Sequence, residues 1–259
     1  MSAFRLRHTP LLSRVGADRA DTLRTDVEAA QAGWSDAQLL RVDRRNQVLI
    51  SNGRVVRRAG QVFDDTSAQL VATATALLNW HDNARFSTVD GAVTKPIKGG
   101  WARVNAHNRH EEYPRIDPAV ICLVHDGHDR AVLARQTVWP ERLFSILAGF
   151  VEAGESFESC VVREIAEEIG LTVTDVQYLG SQPWPFPRSL MVGFHAVGDP
   201  EQSFSFNDGE IAEAQWFTRA EIREALEHGD WSSDSSSRLL LPGSISIARE
   251  IVESWAALD

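Results

Sequence analysis

The sequence predicts an α+β protein in which a mixed β-sheet is sandwiched by helices and follows a smaller α+β domain. Two observations support this fold class. The apolar runs after Asp117 alternate with helical patterns, as in a mixed sheet covered by helices. The chain of 259 residues also exceeds the usual length of a single domain. We therefore divide it into an N-terminal α+β domain over 1–80, a connector over 81–116 and a larger domain over 117–259.

The N-terminal domain is predicted from three strand-like runs and one helix. The runs cover residues 38–42, 47–51 and 54–58. Asn52-Gly53, between the last two runs, is typical of a two-residue hairpin turn. Thr66 and Gln69 form a predicted capping box, and the apolar stripe behind them indicates a helix that ends near Trp80.

The larger domain is predicted from six apolar runs separated by two or three helices. The runs cover residues 119–124, 130–134, 143–147, 176–179, 190–196 and 214–217. Runs of this length, bounded by turn residues, are typical of buried strands. The mixture of strand pairs and helices indicates a mixed sheet rather than a fully parallel one.

Composition narrows the class of protein. A content of 43% hydrophobic and 24% charged residues is ordinary for a soluble globular chain. We see no signal peptide and no apolar run of membrane-spanning length, so we expect a cytoplasmic protein without a membrane partner. The only cysteines, Cys122 and Cys160, are predicted to be buried and reduced. The formal charge of −10 argues against a broad nucleic-acid surface, although a small phosphorylated ligand can bind locally.

One segment places acidic residues at helical spacing behind a glycine-rich turn. Ser156 is a predicted N-cap and Gly170 lies where a helix stops, so the residues between them should be helical. Gly149 and Gly154 permit a tight turn from the predicted strand 143–147 into this helix.

The faces of this helix differ in chemistry. At about 100° per residue, Glu164, Glu167 and Glu168 fall on one arc. A separate apolar arc that can face a core contains Val162, Ile165, Ala166 and Ile169. Because crowded carboxylates repel one another, we expect Mg²⁺ or Mn²⁺ there, completed by a phosphate-bearing substrate. The alternative is a solvated acidic face on which Arg163 pairs with Glu167.

The segment from Gly149 to Leu171 resembles the Nudix box, G-x5-E-x7-R-E-U-x-E-E-x-G-U with U a bulky aliphatic residue, and matches every specified position. The resemblance implies a Nudix fold for residues 117–259. It implies metal binding by the Ala148 carbonyl and by the glutamates, which are Glu164, Glu167 and Glu168. It also implies that Glu155 and Arg163 pair to hold the loop on the helix, with Gly149 and Gly170 as structural support.

The connector contains four motifs, at residues 86–91, 99–101, 105–108 and 113–118. They resemble the zinc-ribbon connector of the NADH pyrophosphatase branch of Nudix hydrolases. The cysteines of that branch fall at Ser87, Asp90, Asn105 and Asn108, none of which supplies a thiolate. Because a structural zinc site needs four thiolate or imidazole ligands, we expect this connector to fold without structural zinc.

A proline-rich segment, Ser181-Gln-Pro-Trp-Pro-Phe-Pro-Arg-Ser189, begins ten residues after the box. Three prolines remove backbone donors and fix φ, so we expect a stiff loop that presents two aromatic rings and not a central strand. The segment resembles the SQPWPFPxS signature of NADH pyrophosphatases. The resemblance implies substrate contacts by Gln182, Pro183, Trp184, Pro185, Phe186, Pro187, Arg188 and Ser189. It also implies contacts by Tyr113 and by Ala248 in the final helix.

A later segment, Glu210-Ile-Ala-Glu-Ala-Gln-Trp-Phe217, resembles the E-x-x-E-A-x-W-F segment of the same family. The resemblance implies that Glu213 reaches the metal cluster. Without it, a glutamate before an apolar strand is usually solvated.

Together these resemblances imply metal-dependent hydrolysis of the pyrophosphate bond of NADH or NAD⁺ to AMP and nicotinamide mononucleotide, by a homodimer. We favour Glu168 for activating water and Glu164 as the principal metal ligand, but the two can exchange roles because they share the same ions. Three alternatives stay open: hydrolysis of ADP-ribose or another nucleoside diphosphate compound, removal of the NAD cap from an RNA 5′ end, and NAD sensing without cleavage. Three metal-facing carboxylates argue against the last.

Overall fold

The computed structural model of the protein describes residues 41–42, 48–49, 55–56, 65–206, 209–231 and 236–258. These residues form two compact units. The C-terminal unit contains residues 117–182 and the described residues from Leu190 onwards. The N-terminal unit contains the described residues up to Ile116 together with Pro183–Ser189.

The first described elements of the N-terminal unit form a three-stranded antiparallel sheet. Its strands are β1 (Arg41–Val42), β2 (Val48–Leu49) and β3 (Val55–Val56), in that order. Each lies within a predicted strand-like run, and the predicted Asn52-Gly53 turn lies outside the described residues. Helix α1 (Asp65–Asn83) follows and ends three residues beyond the predicted position at Trp80.

The connector forms a second antiparallel sheet. Its strands are β4 (Thr94–Ile97), β5 (Ala102–Asn105) and β6 (Glu111–Glu112). A short 3₁₀ helix (Lys98–Gly100) joins β4 to β5. Gly99 and Gly100 have φ values of 59° and 90° there, the left-handed region that glycine adopts without a steric penalty.

The C-terminal unit is built on a six-stranded sheet with the order β10-β11-β7-β8-β12, in which β9 also pairs with β7. The strands are β7 (Asp117–His125), β8 (Arg130–Gln136), β9 (Leu147–Phe150), β10 (Val173–Trp184), β11 (Ser189–Gly198) and β12 (Ile211–Thr218). The helices are α2 (Phe157–Ile169), α3 (Arg219–Glu227) and α4 (Ile247–Ala256). None of the described helices combines the length and the apolar character that a membrane crossing requires.

The sheet has an apolar core on each face, which confirms the prediction of a mixed sheet between helices. Strand β7 shows why: Val120 and Cys122 pack with the buried residues of α2, whereas Ile121 and Leu123 pack with α3 and α4. Successive side chains of a strand point to opposite faces, so a strand that is apolar throughout is buried on both sides.

Two sequence predictions about this sheet were wrong in detail. The run 143–147 is not a strand up to Ile146; those residues make only isolated bridges, and β9 begins at Leu147. Strand β10 continues through Pro183 to Trp184, so only the second half of the proline-rich segment is a turn. Because β10 ends the strand order of the sheet, it is an edge strand, where proline removes no ladder hydrogen bond.

Candidate active site

Helix α2 is bounded as its sequence predicts. The Ser156 hydroxyl accepts a hydrogen bond from the Ser159 N–H at 3.2 Å, which satisfies one free donor of the first turn. Gly170 ends the helix at φ 72°, and its N–H donates to the Ala166 carbonyl at 3.1 Å. A Cβ at Gly170 would lie 2.8 Å from the Cβ of Ser205, so both the backbone and the space require glycine.

Arg163 joins the glycine-rich loop to α2. Its guanidinium donates to both carboxylate oxygens of Glu155, at 2.8 and 2.9 Å, and to the Phe150 carbonyl at 3.0 Å. It also lies 2.9 Å from carboxylate oxygens of Glu164 and Glu167. The hydrogen bond from Arg163 lowers the pKa of Glu155 to about 2, and the same pair raises the pKa of Arg163. One cation therefore contacts three carboxylates, so the group keeps a net negative charge.

The Glu164 carboxylate occupies the space that a side chain at position 149 would fill. A Cβ built on Gly149 would lie 1.8 Å from Glu164 Cδ and 2.1 and 2.2 Å from its two oxygens. Burial raises the pKa of Glu164, and the hydrogen bond from Arg163 opposes that shift. Because Gly149 has no side chain, the Glu164 carboxylate can lie against the backbone of β9, beside Ala148.

The glutamates of α2 differ in exposure although they share one arc. The side chain of Glu167 is 57% exposed, that of Glu164 is 15% exposed, and Glu168 as a residue is only 2% exposed. The predicted apolar arc was partly wrong, because Val162 and Ala166 are exposed and Glu168 lies on the buried side. A carboxylate is rarely buried without a function or a partner, which distinguishes Glu168.

Ala148 lies in the middle of β9, where it pairs with Ile121 of β7. Helix α2 packs against β9, β7 and β12. The fold therefore places the Ala148 strand beside the glutamate helix. Within the described part of the chain, no three histidine, cysteine, aspartate or glutamate side chains converge closely enough to hold a metal ion.

Glu213 lies on β12 opposite Arg135 of β8. A register shift between Ile211 and Glu213 inserts an extra residue into β12, and this bulge makes Glu213 and Arg135 direct neighbours. The Arg135 Nε lies 3.5 Å from the Glu213 carboxylate, and the Gln215 amide donates to the same group. Arg135 also donates to the Trp139 carbonyl at 3.3 Å. Glu213 is thus held by neighbours of its own sheet.

The predicted aromatic pair lies at the end of β10. The rings of Trp184 and Phe186 are half-buried and meet edge to face, with centroids 5.2 Å apart. The Phe186–Pro187 peptide is cis. The side-chain amide of Asn79 donates to the carbonyls of Pro185, at 2.9 Å, and Pro187, at 3.2 Å.

Gln182 is engaged with the last helix. Its amide nitrogen donates to the Ile245 carbonyl and its amide oxygen accepts from the Ile247 N–H, both at 2.9 Å. Both ends of the amide therefore hold the start of α4. Ala248, in the first turn of α4, is 2% exposed and packs in the core, so only its backbone is available at that turn.

Tyr113 projects from the connector with 57% of its surface exposed. Its hydroxyl accepts from Lys98 Nζ at 2.9 Å and donates to Glu111 at 2.6 Å. Lys98 also donates a hydrogen bond to Glu111, and this bond raises the pKa of Lys98 to about 12. The phenol is thus held in place by both partners while more than half of the residue stays exposed.

Three of the four positions where the family has cysteines, Asp90, Asn105 and Asn108, are joined by hydrogen bonds. The Asp90 carboxylate accepts from the side-chain amides of Asn105, at 2.7 Å, and Asn108, at 3.2 Å. The Asn105 oxygen accepts two backbone N–H groups, those of His107 and Asn108. Ser87 is 5% exposed, and its hydroxyl accepts from the Val89 N–H. The two turns that thiolates and zinc would bridge are linked here through Asp90.

Sequence reasoning missed Asn79 and Arg135. In the sequence, Asn79 resembles an ordinary surface residue of a helix. The two carbonyls that it contacts lie more than 100 residues away in the chain. Arg135 meets Glu213 only because of the bulge in β12. No local pattern reveals either contact, because both depend on tertiary structure.

Comparison with known proteins gives two family matches. A family profile described as "NUDIX domain" matches residues 115–239, and one described as "NADH pyrophosphatase zinc ribbon domain" matches residues 82–113. The NAD-capped RNA hydrolase NudC of Mycobacterium bovis is 63% identical over 99% of this chain and 97% of that protein.

Two further proteins are more distant. The mitochondrial NAD(P)H pyrophosphatase NUDT13 of Mus musculus is 40% identical over 77% of this chain and 58% of that protein. A crystal structure of a NUDIX hydrolase from Nitrosomonas europaea covers 52% of this chain and 77% of that one, at 18% identity and a TM-score of 0.44. With 63% identity to one relative across nearly the whole of both proteins, the chain belongs to the Nudix hydrolases, in the branch that carries the NADH pyrophosphatase zinc ribbon domain.

Proposed function

We propose that the protein hydrolyses the pyrophosphate bond of NADH and NAD⁺, releasing AMP and nicotinamide mononucleotide in its reduced or oxidised form. The observation that carries this proposal is the seating of the Glu164 carboxylate against Gly149 on a helix that also contains the buried Glu168. The names of two relatives, an NAD-capped RNA hydrolase and an NAD(P)H pyrophosphatase, support the choice of a dinucleotide.

The donor set fits a hard divalent cation such as Mg²⁺ or Mn²⁺. We propose that Glu164, Glu168 and the Ala148 carbonyl hold it, with Glu167 and Glu213 at the margin of the site. All of these donors are oxygen atoms, and Mg²⁺ is usually held by a few carboxylates together with water and substrate phosphates. When bound, the cation neutralises the diphosphate and lowers the pKa of a coordinated water.

The chain's own residues then have distinct roles. Arg163 fixes the loop to the helix, so that the Ala148 carbonyl and the Glu164 carboxylate keep their relative positions. Glu168 is proposed to take the proton of the attacking water. The water oxygen forms the new bond to phosphorus, and the bond from phosphorus to the bridging oxygen breaks. Holding the reacting groups in place is a large part of such catalysis.

The proposed ring contacts come from Trp184, Phe186 and Tyr113. Each presents an aromatic face, and aromatic faces stack on nucleotide bases and on nicotinamide. Pro183, Arg188 and Ser189 are proposed to contact the same ligand, as are Pro185, Pro187 and the backbone of Ala248. Gln182 already holds the start of α4, so we propose that it shapes the pocket through that segment.

One experiment tests the proposal. Purified protein is incubated with Mg²⁺ or Mn²⁺ and with NADH, NAD⁺ or ADP-ribose, and AMP and the second product are quantified. We expect stoichiometric AMP and nicotinamide mononucleotide from NADH or NAD⁺. Folded protein that releases no AMP from either dinucleotide would refute the proposal, and faster cleavage of ADP-ribose would move the substrate to that compound.

A second candidate, removal of the NAD cap from an RNA 5′ end, is favoured by the name of the 63% identical relative. The bond that breaks is the same, so the two activities can share one site. The test is competition: RNA carrying an NAD cap is offered together with free NADH, and the ratio of the two kcat/KM values is measured. A ratio well above one would make the capped RNA the preferred substrate.

We also propose that the connector folds without zinc. The hydrogen bonds of Asp90 to Asn105 and Asn108 link the two turns that a metal would otherwise join. We expect purified protein to contain much less than one zinc per chain, a chelator to leave its melting temperature unchanged, and Asp90→Ala to lower it. About one tightly held zinc per chain would contradict the proposal.

Finally, we propose a homodimer that acts in the cytoplasm. Besides Tyr113, the connector exposes five large apolar side chains, a density that indicates a covered surface: Phe86, Val89, Val93, Trp101 and Ile116. Light scattering coupled to gel filtration measures the mass, and a monomer at micromolar concentration would refute the dimer.

The proposed cytoplasmic location is supported by the two buried free cysteines, Cys122 and Cys160, which suit a reducing compartment.

A further inference from the structure

The proline-rich turn has an unusual shortage of backbone donors. Pro183, Pro185 and Pro187 have no N–H, and within the turn the Phe186 N–H donates to the Trp184 carbonyl at 2.8 Å. A neighbouring element can therefore hold this turn chiefly by donating to its carbonyls. Any residue that does so must carry N–H or O–H groups, and a side-chain amide nitrogen carries two.

Asn79 supplies those two donors from helix α1. The same nitrogen lies 2.9 Å from the Pro185 carbonyl and 3.2 Å from the Pro187 carbonyl. These two carbonyls lie on either side of Phe186 in the chain. The amide thus fixes the backbone both before and after the residue whose ring pairs with Trp184.

The end of α1 is itself fixed to the connector. Nε2 of His81 hydrogen-bonds the Gly100 carbonyl at 2.8 Å, and its Nδ1 accepts from Arg103 at 2.7 Å. Arg103 is 8% exposed and also donates to the Thr94 hydroxyl at 2.6 Å, which in turn donates to the Ala84 carbonyl at 2.6 Å. Asn79 lies two residues before His81 on the same helix, so the network that holds this end of α1 also fixes the backbone at Asn79.

We propose that Asn79 is a positioning residue for substrate recognition, holding Trp184 and Phe186 in the geometry that binds the ring of the dinucleotide. This inference rests on the proposed function of the turn. It also assigns a role to α1 and to the connector, which contribute to specificity by holding Asn79. Pre-ordered aromatic rings lose little entropy on binding, so the benefit appears in substrate affinity more than in the chemical step.

The test replaces Asn79 by Asp, which keeps the shape of the side chain and removes both donors. The matched control is Asn83→Asp, one turn later on α1, where the amide donates only to the Asn79 carbonyl of its own helix. Four quantities are compared with the unmodified protein. They are kcat and KM for NADH, kcat/KM for a diribosyl diphosphate that lacks both bases, and the hydrogen exchange of the peptide that contains residues 182–189.

We expect Asn79→Asp to raise KM for NADH by about tenfold, the effect of losing one or two hydrogen bonds, with little change in kcat. Turnover of the base-free diphosphate should stay unchanged, and exchange of the 182–189 peptide should accelerate. Asn83→Asp should leave all four quantities unchanged. A merely structural role would instead lower activity on both substrates equally.

The outcomes separate the inference from the proposed function. If the unmodified protein does not cleave NADH, the proposed function fails, and the exchange rates still decide whether Asn79 holds the turn. If folded Asn79→Asp has both the KM and the exchange rate of the unmodified protein, the inference is overturned. If Asn79→Asp does not fold, Asn79→Ala, which removes the donors without adding charge, is measured in its place against the same criteria.

Discussion

Replacing Gly149 by Ala tests whether Glu164 must lie against the backbone of β9. The new Cβ would lie 1.8 Å from Glu164 Cδ. Carbon atoms in contact are about 3.5 Å or more apart, so the carboxylate must withdraw by roughly 1.7 Å. A misplacement of about 1 Å can lower turnover about 10²-fold, so we expect at least that loss in kcat, equivalent to about 2.7 kcal/mol of transition-state stabilisation.

The stability of the fold should change little in this variant. The atoms that clash belong to the end of a flexible side chain, and the φ of Gly149 lies outside the left-handed region. Gly154 in the same loop is the matched control, because it has a φ of 89° and no atom within 4 Å of a built Cβ. Gly154→Ala should therefore cost about 1–2 kcal/mol of backbone strain and leave Glu164 in place.

The assay measures kcat with saturating NADH and Mg²⁺, the melting temperature, and Mn²⁺ affinity by calorimetry. We expect Gly149→Ala to lose turnover and bind Mn²⁺ more weakly at an almost unchanged melting temperature. Gly154→Ala should show the reverse, with a melting temperature lower by about 2–8 °C. If Gly149→Ala keeps the kcat of the unmodified protein, then the position of the Glu164 carboxylate does not matter for the reaction.

Three further predictions follow from the site and the core. Glu168→Gln should lower kcat by about 10²-fold or more at unchanged fold, because it removes the proposed proton acceptor, and unchanged turnover of the folded variant would refute that role. Trp184→Ala or Phe186→Ala should reduce kcat/KM for NADH by about 1–3 kcal/mol but spare a base-free diphosphate, and equal losses on both substrates would exclude ring recognition. Burial lowers the pKa of His125, which hydrogen-bonds His195 at 3.0 Å, to about 4. Below about pH 6.5 the unfolded chain therefore binds more protons than the folded protein. The free energy of unfolding should fall as the pH is lowered from about 6.5 to about 4, and His125→Gln should flatten that dependence in urea titrations.

The sequence could predict those parts of the fold that local chemistry determines. Helix α2 begins after Ser156 and ends at Gly170 because a hydroxyl cap and a left-handed glycine act within a few residues of the helix. Strand β7 could be predicted for a similar reason, since a run that is apolar on both faces has few alternatives to a buried strand.

The rest depends on contacts between distant residues. The apolar run before Leu147 has the composition of a strand, but its partners are an isolated residue of β8 and Leu240. A helical wheel gives the angle of Glu168 but not what packs on that side, so its burial could not be predicted. The metal ligands and substrate contacts that the family resemblance implies stay predictions, to be decided by the experiments above.

The hydrogen bonds from Asn105 and Asn108 to Asp90 bear on how sensitive the connector is to oxidants. Zinc ribbons are held by thiolates, which oxidants convert to disulfides or sulfur acids, and the ribbon then loses its metal and its fold. Residues 82–116 contain no cysteine, and Asp90, Asn105 and Asn108 offer oxidants no sulfur. On the proposal that this connector folds without zinc, we expect its shape to survive an oxidant that would open a connector held by thiolates and zinc.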